Sequence, residues 1–198
     1  MPKRSSTNDV ILPIKRFANQ TAWKRWLGAH HASSSGIWMA IAKNGSGLAS
    51  VSYADAIDGA LCYGWIDGQK QKLDECRWLQ KFTPRGKRSI WSEINRAKAE
   101  KLIACGEMKA PGAKAIAAAK KEGRWDRAYA SQRAITVPDD LASALRRNPK
   151  AQAFFDELNS ANRYAILFRI HAAKKPETRE RRLRKFVTML EKHELIHK

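Results

Sequence analysis

Acidic residues are scarce in this chain: 19 Asp and Glu stand against 38 Lys and Arg, for a formal charge of +19 over 198 residues. Both halves of the chain share the excess, so it is not the work of one tail. Such a balance disfavours basic partners and favours anionic or phosphate-rich ones; it speaks about association, not about fold. Cysteine is sparse as well. Cys62, Cys76 and Cys105 are odd in number and lack C-x-x-C spacing, which excludes a disulfide framework or a zinc ribbon and makes reduced cytosolic thiols the expectation. No stretch approaches 18 uninterrupted apolar residues, so no membrane-spanning helix is expected. Met1 to Asp9 carries Lys3 and Arg4 but no apolar segment behind them, so no secretory signal is expected and a cytoplasmic location is. The phosphate-cradling and nucleophile-elbow motifs G-x-x-x-x-G-K-[ST], G-x-G-x-x-G and G-x-S-x-G are also missing.

What the chain does have is seven Trp and a regular alternation of apolar patterns. Large aromatics fill cores and line pockets alike, so the count implies a real interior without choosing between the two. Residues 1–12 read as a frayed leader. Thr21 is placed to cap a short helix running through His31, with Trp23, Trp26 and Leu27 on one face. Gly36–Lys43 is a nearly continuous apolar run and reads as a buried strand, closed by the turn Asn44-Gly45-Ser46-Gly47. Ser52 and Asp55 have capping-box spacing for a helix that ends at Gly64. Trp65–Lys72 and Cys76–Thr83 read as an antiparallel hairpin, stopped by Pro84, which has no N–H to give a ladder. Ser92 opens a helix to Cys105, with Gly106 as its stop, and Pro111 opens an Ala-rich helix closed by Gly123. Beyond Pro138 the pattern is helical, over 139–147, 149–159, 161–173 and 177–194. The last two are expected to turn inward the stripes Tyr164, Leu167, Phe168, His171 and Leu183, Phe186, Val187, Leu190. The fold expected is α+β: a small antiparallel sheet of about three strands flanked by helices over 13–136, then a helical unit over 137–198.

The run Asp58-Gly-Ala-Leu-Cys-Tyr-Gly-Trp-Ile-Asp67, with Lys81-Phe-Thr-Pro-Arg85 and Ser89-Ile-Trp91-Ser92-Glu-Ile-Asn95, resembles the YdeI/OmpD-associated, bacteriocin-protection family. Gly106-Glu-Met108, Ala173-Lys-Lys-Pro-Glu-Thr-Arg179 and Arg181-Arg182 extend the resemblance, which runs from Trp23 to Leu190. It implies a link to tolerance of bacteriocins and antimicrobial peptides. It implies no reaction and no cofactor.

Two sets of residues invite function. Trp65, Asp67, Arg85, Trp91 and Asn95 put a few polar groups among apolar and aromatic ones, as ligand pockets do. Asp67 shares a strand face with Trp65, and Asn95 falls one turn beyond Trp91. An internal Asp67–Arg85 pair pinning a loop to the sheet is the competing account. The second set is the basic run Lys174, Lys175, Arg181, Arg182, Arg184 and Lys185, an outward helix face suited to nucleic-acid phosphates or simply to solvent. Arg179 lies nearer the apolar stripe and should have a structural partner such as Asp156 or Glu157. His193-Glu194-Leu195-Ile196-His197 matches the zincin H-E-x-x-H, which needs both His on one helix face. With only Lys198 after it and a chain end expected to fray, coincidence is the better account, and no metal is expected. His171 is expected as a hydrogen-bonded core residue. The sequence thus points to a non-enzymatic cytoplasmic stress-tolerance protein acting through an anionic ligand. A nucleic-acid-binding protein, or an enzyme acting on a small anion through Asp67 and Arg85, stays open.

Overall fold

The computed structural model describes residues 12–173 and 175–197. The leader expected over 1–12 therefore lies outside the described residues but for Leu12. The chain divides into two compact units. One comprises the residues through Ser89 together with Asn95–Asp126; the other comprises Ile90–Ile94 and the residues from Arg127 onward.

The first unit is built on a four-stranded sheet. Its elements are β1 (Ile14–Lys15), α1 (Gln20–His30), β2 (Ile37–Ala42), α2 (Tyr53–Cys62), β3 (Trp65–Lys72) and β4 (Arg77–Pro84). Then come α3 (Glu93–Ala104), whose first two residues count with the second unit, and α4 (Ala110–Lys121). The sheet order is β1-β2-β4-β3, with the antiparallel β2–β4 and β3–β4 pairs that the turn chemistry and alternation predict. One strand was not anticipated. The two-residue β1 pairs parallel to β2, and so short an edge strand leaves almost no periodicity to read.

Side-chain caps fix the starts of α1 and α2. Asn19, not Thr21, caps α1, its side chain accepting from the Ala22 N–H at 2.9 Å. Ser52 caps α2 as predicted, accepting from Asp55 N and donating to the Asp55 carboxylate at 2.7 Å. The turn into β3 is Gly64, at φ +72°, where a Cβ would sit 2.9 Å from the Pro111 carbonyl oxygen. Gly112 in α4 is tighter still: a Cβ there would lie 2.4 Å from the Cys62 carbonyl oxygen. Glycine at both sites lets the start of α4 lie against the end of α2.

Tryptophan builds the core of this unit. Trp23 and Phe82 are fully buried and Trp65 is 1% exposed. Trp23 meets Phe82 at 5.6 Å and Trp65 edge-on at 6.2 Å, while Trp26 stacks on Trp23 at 5.4 Å. Offset and edge contacts of this kind add to the area buried. Each deep indole N–H has a partner, Trp23 donating to Ala56 O and Trp65 to His31 O. Gln80, 3% exposed, is the polar member of this interior. Its amide donates to the carbonyls of Gly68 at 2.8 Å and Gln69 at 3.2 Å. Those carbonyls belong to a bulge in β3, where the register runs from Asp67 opposite Phe82 to Lys70 opposite Gln80. One extra residue on β3 reverses the alternation of every side chain after it.

The second unit contains α5 (Asp139–Arg146), α6 (Pro149–Glu157), α7 (Ser160–His171) and α8 (Pro176–Glu191). Leu141, Leu145, Phe155, Ile166, Ile170, Phe186 and Leu190 are among the residues of its core. Ile90–Ile94 joins it through a parallel bridge between Ser92 and Tyr129. The stripe expected on α8 is borne out at Phe186 and Leu190, with Leu183 and Val187 packed at its margin. The stripe on α7 is corrected. The deep face carries Asn162, Ala165, Ile166, Leu167 and Ile170, whereas His171 is exposed. Tyr164, Phe168 and His171 face the 129–136 segment instead: Phe168 meets Tyr129 edge-on, Tyr164 donates to Ala130 O, and His171 Nε2 lies 3.1 Å from Thr136 O. A helix with apolar residues over most of its circumference packs on two sides, and periodicity does not say which is deeper.

Two further expectations are corrected here. Arg179 pairs with Asp140, not with Asp156 or Glu157. Its guanidinium donates to both carboxylate oxygens at 2.5 and 3.0 Å and to Ile170 O at 3.0 Å. The end of the described chain is also not frayed. Buried Asn162 accepts from Ile196 N and His197 N and donates to His197 O.

Candidate functional site

The five residues singled out in the sequence occupy different settings. Trp65 is core, enclosed by Trp23 and Trp26. Asp67 accepts a 2.7 Å hydrogen bond from the Tyr53 hydroxyl at the start of α2. Arg85 follows directly on β4; its backbone N–H donates to Gly64 O, and its Nε and Nη2 atoms are buried. Asn95 is half-buried in the first turns of α3. Trp91 belongs to the second unit and is 1% exposed, its carbonyl accepting from Tyr129 N. It precedes α3, so it shares no helix face with Asn95.

In the basic run, Lys175, Arg181, Arg184 and Lys185 are exposed. Arg182 donates to Arg169 O and is half-buried, so it is committed to structure. Lys174 lies outside the described residues. In the H-E-x-x-H run, α8 ends at Glu191 and His193 has φ +56°. The two His therefore do not share a helix face, and His193 packs on the Phe154 ring at 4.5 Å. Cys62 has the burial of a core residue, and that burial pushes its thiol above the usual range. A buried, protonated thiol is a poor nucleophile.

The sheet carries one more constellation, which the sequence reading missed. An α-helix rises about 1.5 Å per residue and a strand about 3.3 Å. The ten residues of α2 accordingly cover only part of the eight-residue strand that follows it. Past Tyr53 the face of the sheet that is buried elsewhere opens into a cleft of about 390 Å³, lined by Lys43, Lys70, Gln71, Lys72 and Trp78. The bulge is what builds it. Register puts Lys70 opposite Gln80 and Lys72 opposite Trp78, on the Trp78 face; in unbulged alternation from Asp67 both lysines would point the other way. The Lys70 ammonium stands 5.7 Å from the Trp78 ring centre, and Tyr53 meets the same ring at 5.6 Å. Lys43 and Lys72 both reach Glu75 at the hairpin tip, Lys43 donating to its carbonyl at 2.9 Å and Lys72 pairing with its carboxylate at 2.5 Å. The only trace in the sequence was Lys70-Gln71-Lys72 near an aromatic, which reads as an ordinary solvated strand face until the register is known.

Fold and surface together define an α+β unit on a small mixed sheet, joined to a helical unit, both within a strongly basic chain. A family model described as a domain of unknown function, DUF8412, matches residues 15–115, just over half of the chain, and the chain belongs to that family. A second model, described as bacteriocin-protection, YdeI or OmpD-associated, matches residues 134–193 and bears out the resemblance to that family. The match lies in the helical C-terminal part and includes Ala173–Arg179. The motifs quoted from 58–95 fall within the DUF8412 match instead. Comparison with curated proteins and with solved structures finds no match. Among the described residues no helix is long and apolar enough to cross a membrane.

Proposed function

We propose that the chain is a non-enzymatic bacteriocin-tolerance protein of the cytoplasm that acts through an anionic partner. The observation carrying this reading is the bacteriocin-protection match over residues 134–193. The charge of +19 directs the rest: capture of a cationic peptide is opposed by like-charge repulsion, so protection runs through an anionic ligand or a response pathway. Exposed thiols at Cys76 and Cys105 suit a reducing compartment. Deleting the gene should increase sensitivity to a bacteriocin or cationic antimicrobial peptide, and restoring it should reverse the effect. The purified protein should show no binding to the peptide itself. Unchanged sensitivity, or tight direct capture, overturns the reading. Arg85→Ala that stays folded yet fails to complement would place the ligand at the loop after β4; loss of fold would make Arg85 a structural residue.

A nucleic-acid-binding reading is favoured by one observation, the exposed Lys175, Arg181, Arg184 and Lys185 on α8 and its cap. It requires affinity for DNA or RNA that falls steeply with salt and drops in Arg181→Gln with Arg184→Gln.

A further inference from the structure

We infer that the cleft between Lys43, Lys70, Lys72 and Trp78 is a binding site for a nucleoside phosphate, either free or as one unit of a single strand. This goes beyond the protective role and stands apart from it, because binding is measured on the purified chain whatever the deletion phenotype.

Three features of the cleft select that chemistry. Its aromatic lining residue is Trp78, whose planar ring is flanked by Tyr53, a surface on which any heteroaromatic base can stack. Three of its five lining residues are lysines and none is acidic, which suits a phosphate and repels a metal ion. Its volume of about 390 Å³ falls in the roughly 300–1,000 Å³ range of small-ligand sites. Neither half explains the ligand alone: phosphate by itself needs no indole, and a neutral aromatic needs no ammonium cluster. Of the acidic neighbours, Asp67 is already bonded to the Tyr53 hydroxyl, and Glu75 has a carboxylate 84% exposed and a Lys72 partner 68% exposed. Exposed ion pairs contribute little, so a phosphate displaces Glu75 from Lys72 readily. Lys70 already rests over the Trp78 ring and swings aside as a base slides in, keeping its charge at the rim.

The test titrates the full chain with AMP, inorganic phosphate and a fluorescein-labelled 15-mer of thymidine, by calorimetry and anisotropy at low salt. AMP should bind at least tenfold more tightly than inorganic phosphate and should shift the Trp78 indole N–H resonance, assigned through Trp78→Leu. Lys70→Gln with Lys72→Gln should weaken AMP tenfold or more, against little change in Lys114→Gln with Lys121→Gln, which removes equal charge from α4. An oligonucleotide that binds far more tightly than AMP and is equally sensitive to Lys70 and Lys72 identifies the unit of a strand; equal affinity identifies the free nucleotide. The inference is overturned if AMP binds no better than inorganic phosphate, or if the cleft lysines matter no more than the α4 pair. Should Trp78→Leu fail to fold, the lysine variants decide the matter alone.

Discussion

Replacing Arg179 by Ala should destabilise the helical unit by about 2 kcal/mol, and the arithmetic follows from three contacts. Two guanidinium N–H groups meet the Asp140 carboxylate at 2.5 and 3.0 Å, and a third donates to Ile170 O at 3.0 Å. Hydrogen bonds to charged groups contribute about 1.5–3 kcal/mol each when shielded. Exposed pairs contribute about 0–1 kcal/mol. Arg179 and Asp140 are 30% and 37% exposed, so solvent screening places the pair between these limits. The contacts tie α8 to the first turn of α5 and the last turn of α7, so their loss loosens three helices at once. A double-mutant cycle with Asp140→Ala, read by urea denaturation and circular dichroism, should return a coupling of about 1–2 kcal/mol. Asp156→Ala should cost under about 0.5 kcal/mol, because its ion pair with Arg163 is long at 3.5 Å and its carboxylate is 57% exposed. The hydrogen bond from Arg179 holds Asp140 below its ordinary value of 3.8. A carboxyl depressed on folding stabilises the native state fully above that ordinary value and loses its contribution as pH falls through the lower, folded one. The coupling should therefore be equal at pH 7 and pH 5 and shrink only below 3.8. A coupling under about 0.3 kcal/mol at pH 7 in this cycle, or a coupling of about 1 kcal/mol or more between Arg179 and Asp156, would refute the assignment of the pair.

Asn162→Ala should cost about 1–2 kcal/mol, since it removes the hydrogen bonds by which a buried amide holds the backbone of half-buried Ile196 and exposed His197; amide exchange there should accelerate, and unchanged protection would contradict the clamp. Gly112→Ala should destabilise the sheet-bearing unit by about 2–3 kcal/mol through overpacking, because its Cβ would stand 2.4 Å from the Cys62 carbonyl. Gly106→Ala is the comparison: it meets nothing within 4 Å but sits at φ +73°, so its smaller loss of about 1 kcal/mol measures backbone strain alone.

By itself the sequence determined the elements and most of their ends. Ser52 and Asp55 announced α2, Pro111 the start of α4, Pro138 the start of α5, and the apolar run Gly36–Lys43 the buried strand found at Ile37–Ala42. These are local signals, set by dihedral preferences and by side chains that satisfy nearby backbone groups, so they survive without knowledge of the rest. Partners distant in the chain were not legible. Arg179 chose Asp140 across 39 residues, and Asp67 chose Tyr53, because which charges meet depends on helix packing and not on spacing. The basic stretch before and within α8 could be seen, but not that Arg182 is spent on the Arg169 carbonyl. Most consequential is the cleft. Lys70, Lys72 and Trp78 are plain in the sequence, yet whether they share a face turns on a single inserted residue in β3. Gln80, buried beneath that bulge, satisfies its carbonyls and holds the reversed alternation in place. Only the tertiary structure, by burying one amide where two strands fall out of step, decided that these side chains open into the same cleft.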